Sequence, residues 1–186
     1  AMVDRAIGTA NRLLRALLDI SKLDGGGLLP TITRFPLDRL LTDIRNEFQH
    51  AAQAKGLELT VLPSSLWLAS DRGLLLSVLQ NLVTNAVRYT QKGRVLVGVR
   101  RRGDEAQIIV LDTGPGIAPD DQLRIFEEFT RLDGARTPAP GDGRAEGAMA
   151  EEGLGLGLAI VRRIAATLGT EVHVRSNPGR GSGFSL

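Results

Sequence analysis

Two apolar runs, Val95-Leu96-Val97-Gly98-Val99 and Ile108-Ile109-Val110-Leu111, flank a polar turn around Gly103-Asp104. Short β-branched and aliphatic runs on either side of turn residues predict a hairpin. An isolated hairpin cannot bury an apolar face by itself, so it demands a second layer. Helical patterns supply that layer. From Pro36, a residue favoured in a first turn, Leu37, Leu40, Leu41, Ile44 and Phe48 recur on one face, and the pattern stops at Gly56. A second pattern runs from about Arg72 to Tyr89, with Leu75, Leu79, Leu82 and Ala86 on one side. A third runs from about Gly155 to Leu168 and ends at Gly169. Leu57 to Leu62, Trp67 to Ala69, Glu171 to Arg175 and a run starting at Phe184 read as further strands, and residues 119–129 hold a short helical pattern. Strands mixed with helices in this order predict an α/β (α+β) two-layer sandwich, a mixed sheet with helices on one face.

Composition narrows the class. Of 186 residues, 42% are hydrophobic but only 4% aromatic, so one sizeable core must be built from Leu, Ile, Val and Ala. The absence of cysteine removes disulfides and thiolate metal sites and fits a cytoplasmic location. No apolar stretch is long enough for a bilayer and no signal-peptide pattern opens the chain, so no membrane contact is expected. The formal net charge is +2, and Arg100-Arg101-Arg102 is the one basic run. It reads as a solvated hairpin end rather than a nucleic-acid surface, because no aromatic side chains interleave with it to stack bases. Residues 4–23 form a separate helical pattern through Ile7, Leu13, Leu14, Leu17 and Leu18, stopped by Asp24-Gly25-Gly26-Gly27. Residues 134–152 are Gly, Ala, Pro and charge with almost no large apolar side chain, which reads as a lid or a disordered loop.

Three clusters carry chemistry. Asn81, Asn85 and Arg88 stand at i, i+4 and i+7 and share the face opposite the leucine stripe. Asparagine is a poor helix former, so a pair one turn apart asks for a reason. An amide oxygen can coordinate Mg²⁺, and an arginine beside it can meet phosphate. Asp112-Thr113-Gly114-Pro115-Gly116-Ile117 ends an apolar strand in a tight turn. A carboxylate fixed there can accept a hydrogen bond from an exocyclic amine such as adenine's, although aspartate is also an ordinary turn residue. Gly153-Leu154-Gly155-Leu156-Gly157 leads straight into a helix, where free backbone N–H groups and the helix dipole favour an anion. Its spacing is neither the dinucleotide fingerprint nor a P-loop.

Order and spacing add what each cluster lacks alone. Asn81-Leu82-Val83-Thr84-Asn85-Ala86 resembles the N box of sensor histidine kinases, Asp112 to Ile117 their first glycine box, Phe126-Glu127-Glu128-Phe129 their F box, and Gly153 to Gly157 their second glycine box. The resemblance spans about residues 34–186 and implies the layered, Bergerat-type ATP-binding fold shared with gyrase-type and chaperone-type ATPases. It implies ATP and Mg²⁺ as cofactors. Asn85 would ligate Mg²⁺, Asn81 would support the phosphate side, and Arg88 would approach the phosphates. Tyr89 would lie on the adenine and Asp112 would accept from its amino group. Gly114, Gly116 and Ile117 would let backbone pass close to the nucleotide, while Gly153, Leu154, Gly155, Leu156 and Gly157 would cradle the phosphates and hinge the lid at 134–152. Phe126 and Phe129 would dock that lid, although two aromatics three apart are more often core anchors.

One position separates transfer from hydrolysis. ATPase relatives of this fold place a glutamate one turn before the metal-binding asparagine to activate water; here that position is Asn81, and a neutral amide is not a useful general base. The expected activity is therefore transfer of the γ-phosphate to a histidine. His50 and His173 are the only histidines, and neither lies in the family's phosphoacceptor motif. Residues 1–25 resemble the end of the second helix of the dimerisation hairpin, 26–33 a linker and 34–186 the catalytic domain. The implied partners are the phosphoacceptor hairpin of the same protein, a second copy in a homodimer, and the receiver domain of a response regulator. The fragment itself is expected not to autophosphorylate. Three other readings are weaker. A lone Asp-Thr-Gly also matches an aspartic protease, but that chemistry uses neither the asparagine helix nor the second glycine cluster. A non-catalytic nucleotide-binding module and a gyrase-like ATPase share the fold.

Overall fold

In the computed structural model, residues 29–130 and 155–186 are described; the expected helix at 4–23, the lid at 134–152, and Gly153 and Leu154 lie outside the described residues. Five strands form the main sheet. They are β2 (Glu58–Val61), β4 (Arg94–Arg102), β5 (Glu105–Asp112), β6 (His173–Asn177) and β7 (Gly181–Ser185), in the order β2-β4-β5-β7-β6. β2 lies parallel to β4 and every other pairing is antiparallel. The predicted hairpin is the centre of this sheet: β4 and β5 pair from Val95 opposite Asp112 to Arg102 opposite Glu105. The arginine run sits exposed at its far end.

Among the described residues, three helices cover one face: α1 (Leu37–Ala54), α2 (Arg72–Tyr89) and α3 (Gly157–Thr167). Period-2 alternation turns Val95, Val97, Ile108, Val110 and Phe184 inward. There they join Leu40, Leu41 and Ile44 of α1, Leu75, Val78, Leu79 and Leu82 of α2, and Ile160, Val161 and Ile164 of α3 in one core. At roughly 1.5–3 kcal/mol per buried aliphatic side chain, this shared core outweighs any single contact that orients the site.

Helix α2 begins where a side chain permits it. Asp71 is the N-cap, and its Oδ1 accepts from the Leu74 N–H at 3.0 Å, while its Oδ2 accepts from the Thr31 N–H at 2.8 Å. Helix α1 ends differently. Leu57 N–H and Gly56 N–H return to the Ala52 and Gln53 carbonyls, with Gly56 at φ +69°. This left-handed closing turn suits glycine alone at little cost.

Three differences from the sequence reading have local causes. Pro36 stands just before α1 as its extended N-cap rather than inside its first turn. It closes β1 (Thr33–Pro36), a strand the sequence reading lacked, which pairs with β3 (Trp67–Ser70) in a separate two-stranded sheet. Residues 119–129 form two short 3₁₀ turns, Pro119–Asp121 and Arg124–Phe126, instead of one helix. Only Ile125 is fully buried there, too little apolar surface to hold a longer helix.

Candidate functional site

The polar face of α2 meets the start of α3. Asn81 Nδ2 donates to the Ser77 carbonyl at 2.9 Å, which fixes the amide plane. Its Oδ1 lies 3.0 Å from where a Cβ on Gly157 would stand, and Asn85 Nδ2 lies 3.9 Å from the same point. Gly157 thus lets the two helices approach at the asparagine pair; a side chain there would press on Asn81. Leu156, the N-cap of α3, provides no side-chain acceptor, so the first-turn N–H groups have no side-chain cap. Unsatisfied N–H groups at a helix start carry partial positive charge and suit an anion. One turn further along α2, Arg88 is half-buried and Tyr89 is 48% exposed.

The second wall is the end of β5. Asp112 Oδ1 accepts from Gly114 N–H at 2.8 Å and from Ser182 N–H at 3.2 Å. Burial pushes the Asp112 carboxyl above its ordinary value of 3.8, against the lowering effect of those two bonds. Desolvation disfavours the anion, and two neutral donors do not compensate it fully. The other carboxylate oxygen accepts no hydrogen bond among the described residues.

The turn after Asp112 is held from several sides. Thr113 spends its side chain on structure: its Oγ1 accepts from the Arg94 N–H at 2.9 Å. Ile117 N–H donates to Ser176 Oγ at 2.7 Å, Ser176 Oγ donates to the Gly181 carbonyl at 2.9 Å, and Gln122 Nε2 donates to the Ser176 carbonyl at 2.9 Å. Gly179 N–H donates to the Pro115 carbonyl at 2.7 Å. Gly116, at φ +74°, lies so close to the Asn177 carbonyl that a Cβ would overlap it. Its close approach is therefore to the β6–β7 hairpin, whereas Gly114 faces the Asp112 carboxylate and the Thr90 hydroxyl.

The remaining expected residues divide. Phe126 meets Phe184 of the sheet edge-on, with centroids 6.4 Å apart. Phe129 is 63% exposed at φ 59°. The Phe129–Thr130 backbone lies against Gly155, about 2.9 Å from its would-be Cβ, so Thr130 and Gly155 adjoin. His50 on α1 and His173 on β6 are both exposed. Residues that sequence reasoning did not single out are Lys55, Thr90, Ser176 and Ser182. Only Ser182, set between Gly181 and Gly183, carried a sequence signal of close backbone approach.

Residues 70–186, which include α2, the Asp112 turn and the start of α3, match the family described as histidine kinase-, DNA gyrase B-, and HSP90-like ATPase. The chain belongs to this family. The sensor-like histidine kinase SenX3 of Mycobacterium tuberculosis is 38% identical over 188 residues, covering 98% of this chain and 43% of SenX3. Signal transduction histidine-protein kinase BarA of Escherichia coli is 29% identical, covering 98% of this chain and 20% of BarA. Among solved structures, full-length ShkA in complex with AMPPNP superposes with a TM-score of 0.73 at 29% identity, covering 96% of this chain and 36% of ShkA. The Acinetobacter baumannii histidine kinase AdeS shares the fold at 21% identity, with a TM-score of 0.72 over 97% of this chain and 79% of that one. The chain spans less than half the length of the curated kinases it matches. What it holds is the ATP-binding catalytic domain of a histidine kinase-like ATPase.

Proposed function

We propose that this domain binds Mg²⁺·ATP and passes the γ-phosphate to a histidine on a separate helical hairpin. The observation that carries the reading is Asn81. It stands one turn before Asn85, its amide is tied to Ser77, and its oxygen faces the start of α3. An amide in that place can orient a phosphate group but cannot take a proton from water. Transfer then depends on placing the donor in line with an outside nucleophile, where positioning and charge neutralisation do most of the work.

Each wall has a part. Asp112, short of donors for its second oxygen, accepts from the adenine amine, and Tyr89 lies along the base. Gly114 leaves room for the base beside the carboxylate, and Gly116 and Ile117 hold the turn to β6. Arg88 and the N–H groups around Gly155, Leu156 and Gly157 meet the phosphates. Phe126 is held against Phe184 of the sheet, and the exposed Phe129 is free to dock a lid. For Mg²⁺ the donor chemistry fits: Asn85 carries its side-chain amide on the same face as Arg88, and that amide makes no hydrogen bond among the described residues. A hard cation that retains water needs only one such protein oxygen beside phosphate oxygens. When bound, Mg²⁺ would neutralise charge on the phosphates.

In the transfer the bond from the γ-phosphorus to the bridging oxygen breaks, ADP leaves, and a bond forms to the unprotonated imidazole nitrogen; the ring then sheds the proton on its other nitrogen. Neither exposed histidine of this chain sits in a phosphoacceptor motif, so the acceptor is the hairpin of a homodimeric parent, and a receiver domain takes the phosphate onward. The test is labelled transfer from ATP to an added hairpin fragment. The expected result is label on the hairpin histidine, none on His50 or His173, and loss on Asn85→Ala. Steady ATP hydrolysis without transfer would overturn the kinase reading.

A further inference from the structure

The nucleotide-facing end of α2 is closed by a residue from another helix. Thr90, its C-cap, is extended rather than left-handed, and the residue after it is Gln91 rather than a glycine that would return the chain onto the final carbonyls. Only the Thr90 N–H turns back, to the Ala86 carbonyl. The orphan carbonyls beyond it are met by Lys55. Its Nζ donates to the Val87 carbonyl at 2.8 Å and the Arg88 carbonyl at 2.6 Å, and lies 3.4 Å from the Thr90 carbonyl. An ammonium has three donors and suits the negative end of a helix. The lysine is aimed by its own backbone: it is the C-cap of α1, locked by the Gly56 turn.

Two of the three carbonyls it gathers belong to Arg88 and Thr90, on either side of Tyr89. Beside them, Thr90 is 0% exposed and its Oγ1 is the one buried side-chain polar atom without a partner among the described residues. That hydroxyl lies 3.3 Å, and Asp112 Oδ1 2.9 Å, from the point where a Cβ on Gly114 would stand. The end of α2 therefore stands beside Asp112 across Gly114, and Lys55 fixes where that end stands.

We infer that Lys55 is a positioning residue for nucleotide binding: it touches no nucleotide, and it sets Tyr89 and Thr90 beside Asp112 by holding the last carbonyls of α2. This rests on the ATP-site reading above. Removal of the ammonium frees those carbonyls to take water and lets the last turn fray, so the base loses a preformed wall.

The experiment measures AMPPNP affinity with Mg²⁺ by calorimetry for wild type, Lys55→Met, Lys55→Arg, Tyr89→Ala and the Lys55→Met/Tyr89→Ala double variant. It is run at 10 °C, with each protein shown to be folded. The expected result is a fivefold or greater loss for Lys55→Met and recovery of most of it in Lys55→Arg. In the Tyr89→Ala background the lysine substitution should have little further effect, because the two changes act through one contact. A lysine that merely stabilised the fold would lower the melting temperature and leave the affinity of the folded protein unchanged. That outcome, or full additivity with Tyr89→Ala, overturns the inference while leaving the ATP site standing. No binding by folded wild type overturns both.

Discussion

Asp71 and Asp112 are two aspartates at the ends of two elements, and the fold treats them in opposite ways. Asp71 opens α2 and accepts from the Leu74 and Thr31 N–H groups, chiefly Leu74; these bonds hold its carboxyl below the ordinary 3.8. Asp112 closes β5 and also accepts two N–H groups, yet burial outweighs them and its carboxyl is raised. The first charge is satisfied by the chain; the second is taken from water and only half compensated. A carboxylate kept in that state is a cost to the fold and an opening for a ligand with hydrogen to donate.

Substitutions at the two ends should separate structure from binding. Ala at Gly116, in the turn that frames Asp112, must take a positive φ and meet the Asn177 carbonyl. The expected loss is roughly 2–4 kcal/mol in denaturant unfolding, from left-handed strain and overpacking together. Asp71→Ala removes a helix cap and should cost about 1 kcal/mol, with nucleotide affinity of the folded protein unchanged. A tenfold loss of affinity there would erase the distinction between the two carboxylates. Gly73→Ala, beside Asp71 in the first turn of α2, has only ordinary contact for its new Cβ, at 3.4 Å from Asp71 Oδ1. It should stabilise by about 0.5 kcal/mol, because alanine has less freedom to lose.

Acid should show opposite signs. With its folded value lowered, Asp71 contributes stability above 3.8 that is lost as pH falls through that lowered value. The deficit of Asp71→Ala should thus persist at neutral pH and close only below 3.8. With its folded value raised, Asp112 favours the fold below 3.8, and this contribution is lost as pH rises through the raised value. Asp112→Asn should be more stable than wild type at pH about 7, and the gap should shrink on acidification. Unfolding midpoints across pH for both variants read the two signs; equal slopes would remove the contrast.

Much of this was legible in the sequence where the signals are local. The bounds of α2 follow from its leucine stripe and coincide with Arg72–Tyr89. The β4–β5 hairpin follows from two apolar runs and one turn. The asparagine pair and both glycine clusters stood out because their residue types are poorly suited to plain helix and strand. What stayed hidden depends on partners far along the chain. β1 has one inward residue, Phe35, and exists through pairing with β3 more than 30 residues away. Ser176 and Ser182 lie about 60–70 residues from the Ile117 and Asp112 groups they hold. Lys55 caps a helix whose end is 32–35 residues distant. A lysine, a threonine and two serines look like ordinary surface residues until the fold brings them to the end of α2 and the turn after Asp112.

The most direct test is calorimetric binding of AMPPNP, with and without Mg²⁺, to wild type and Asp112→Asn. Binding strengthened by Mg²⁺ and weakened tenfold or more by the substitution, about 1.4 kcal/mol, with no loss of thermal stability, is the predicted result. Equal affinity in the two folded proteins would contradict it, since the half-compensated carboxylate would then have no part in holding the base.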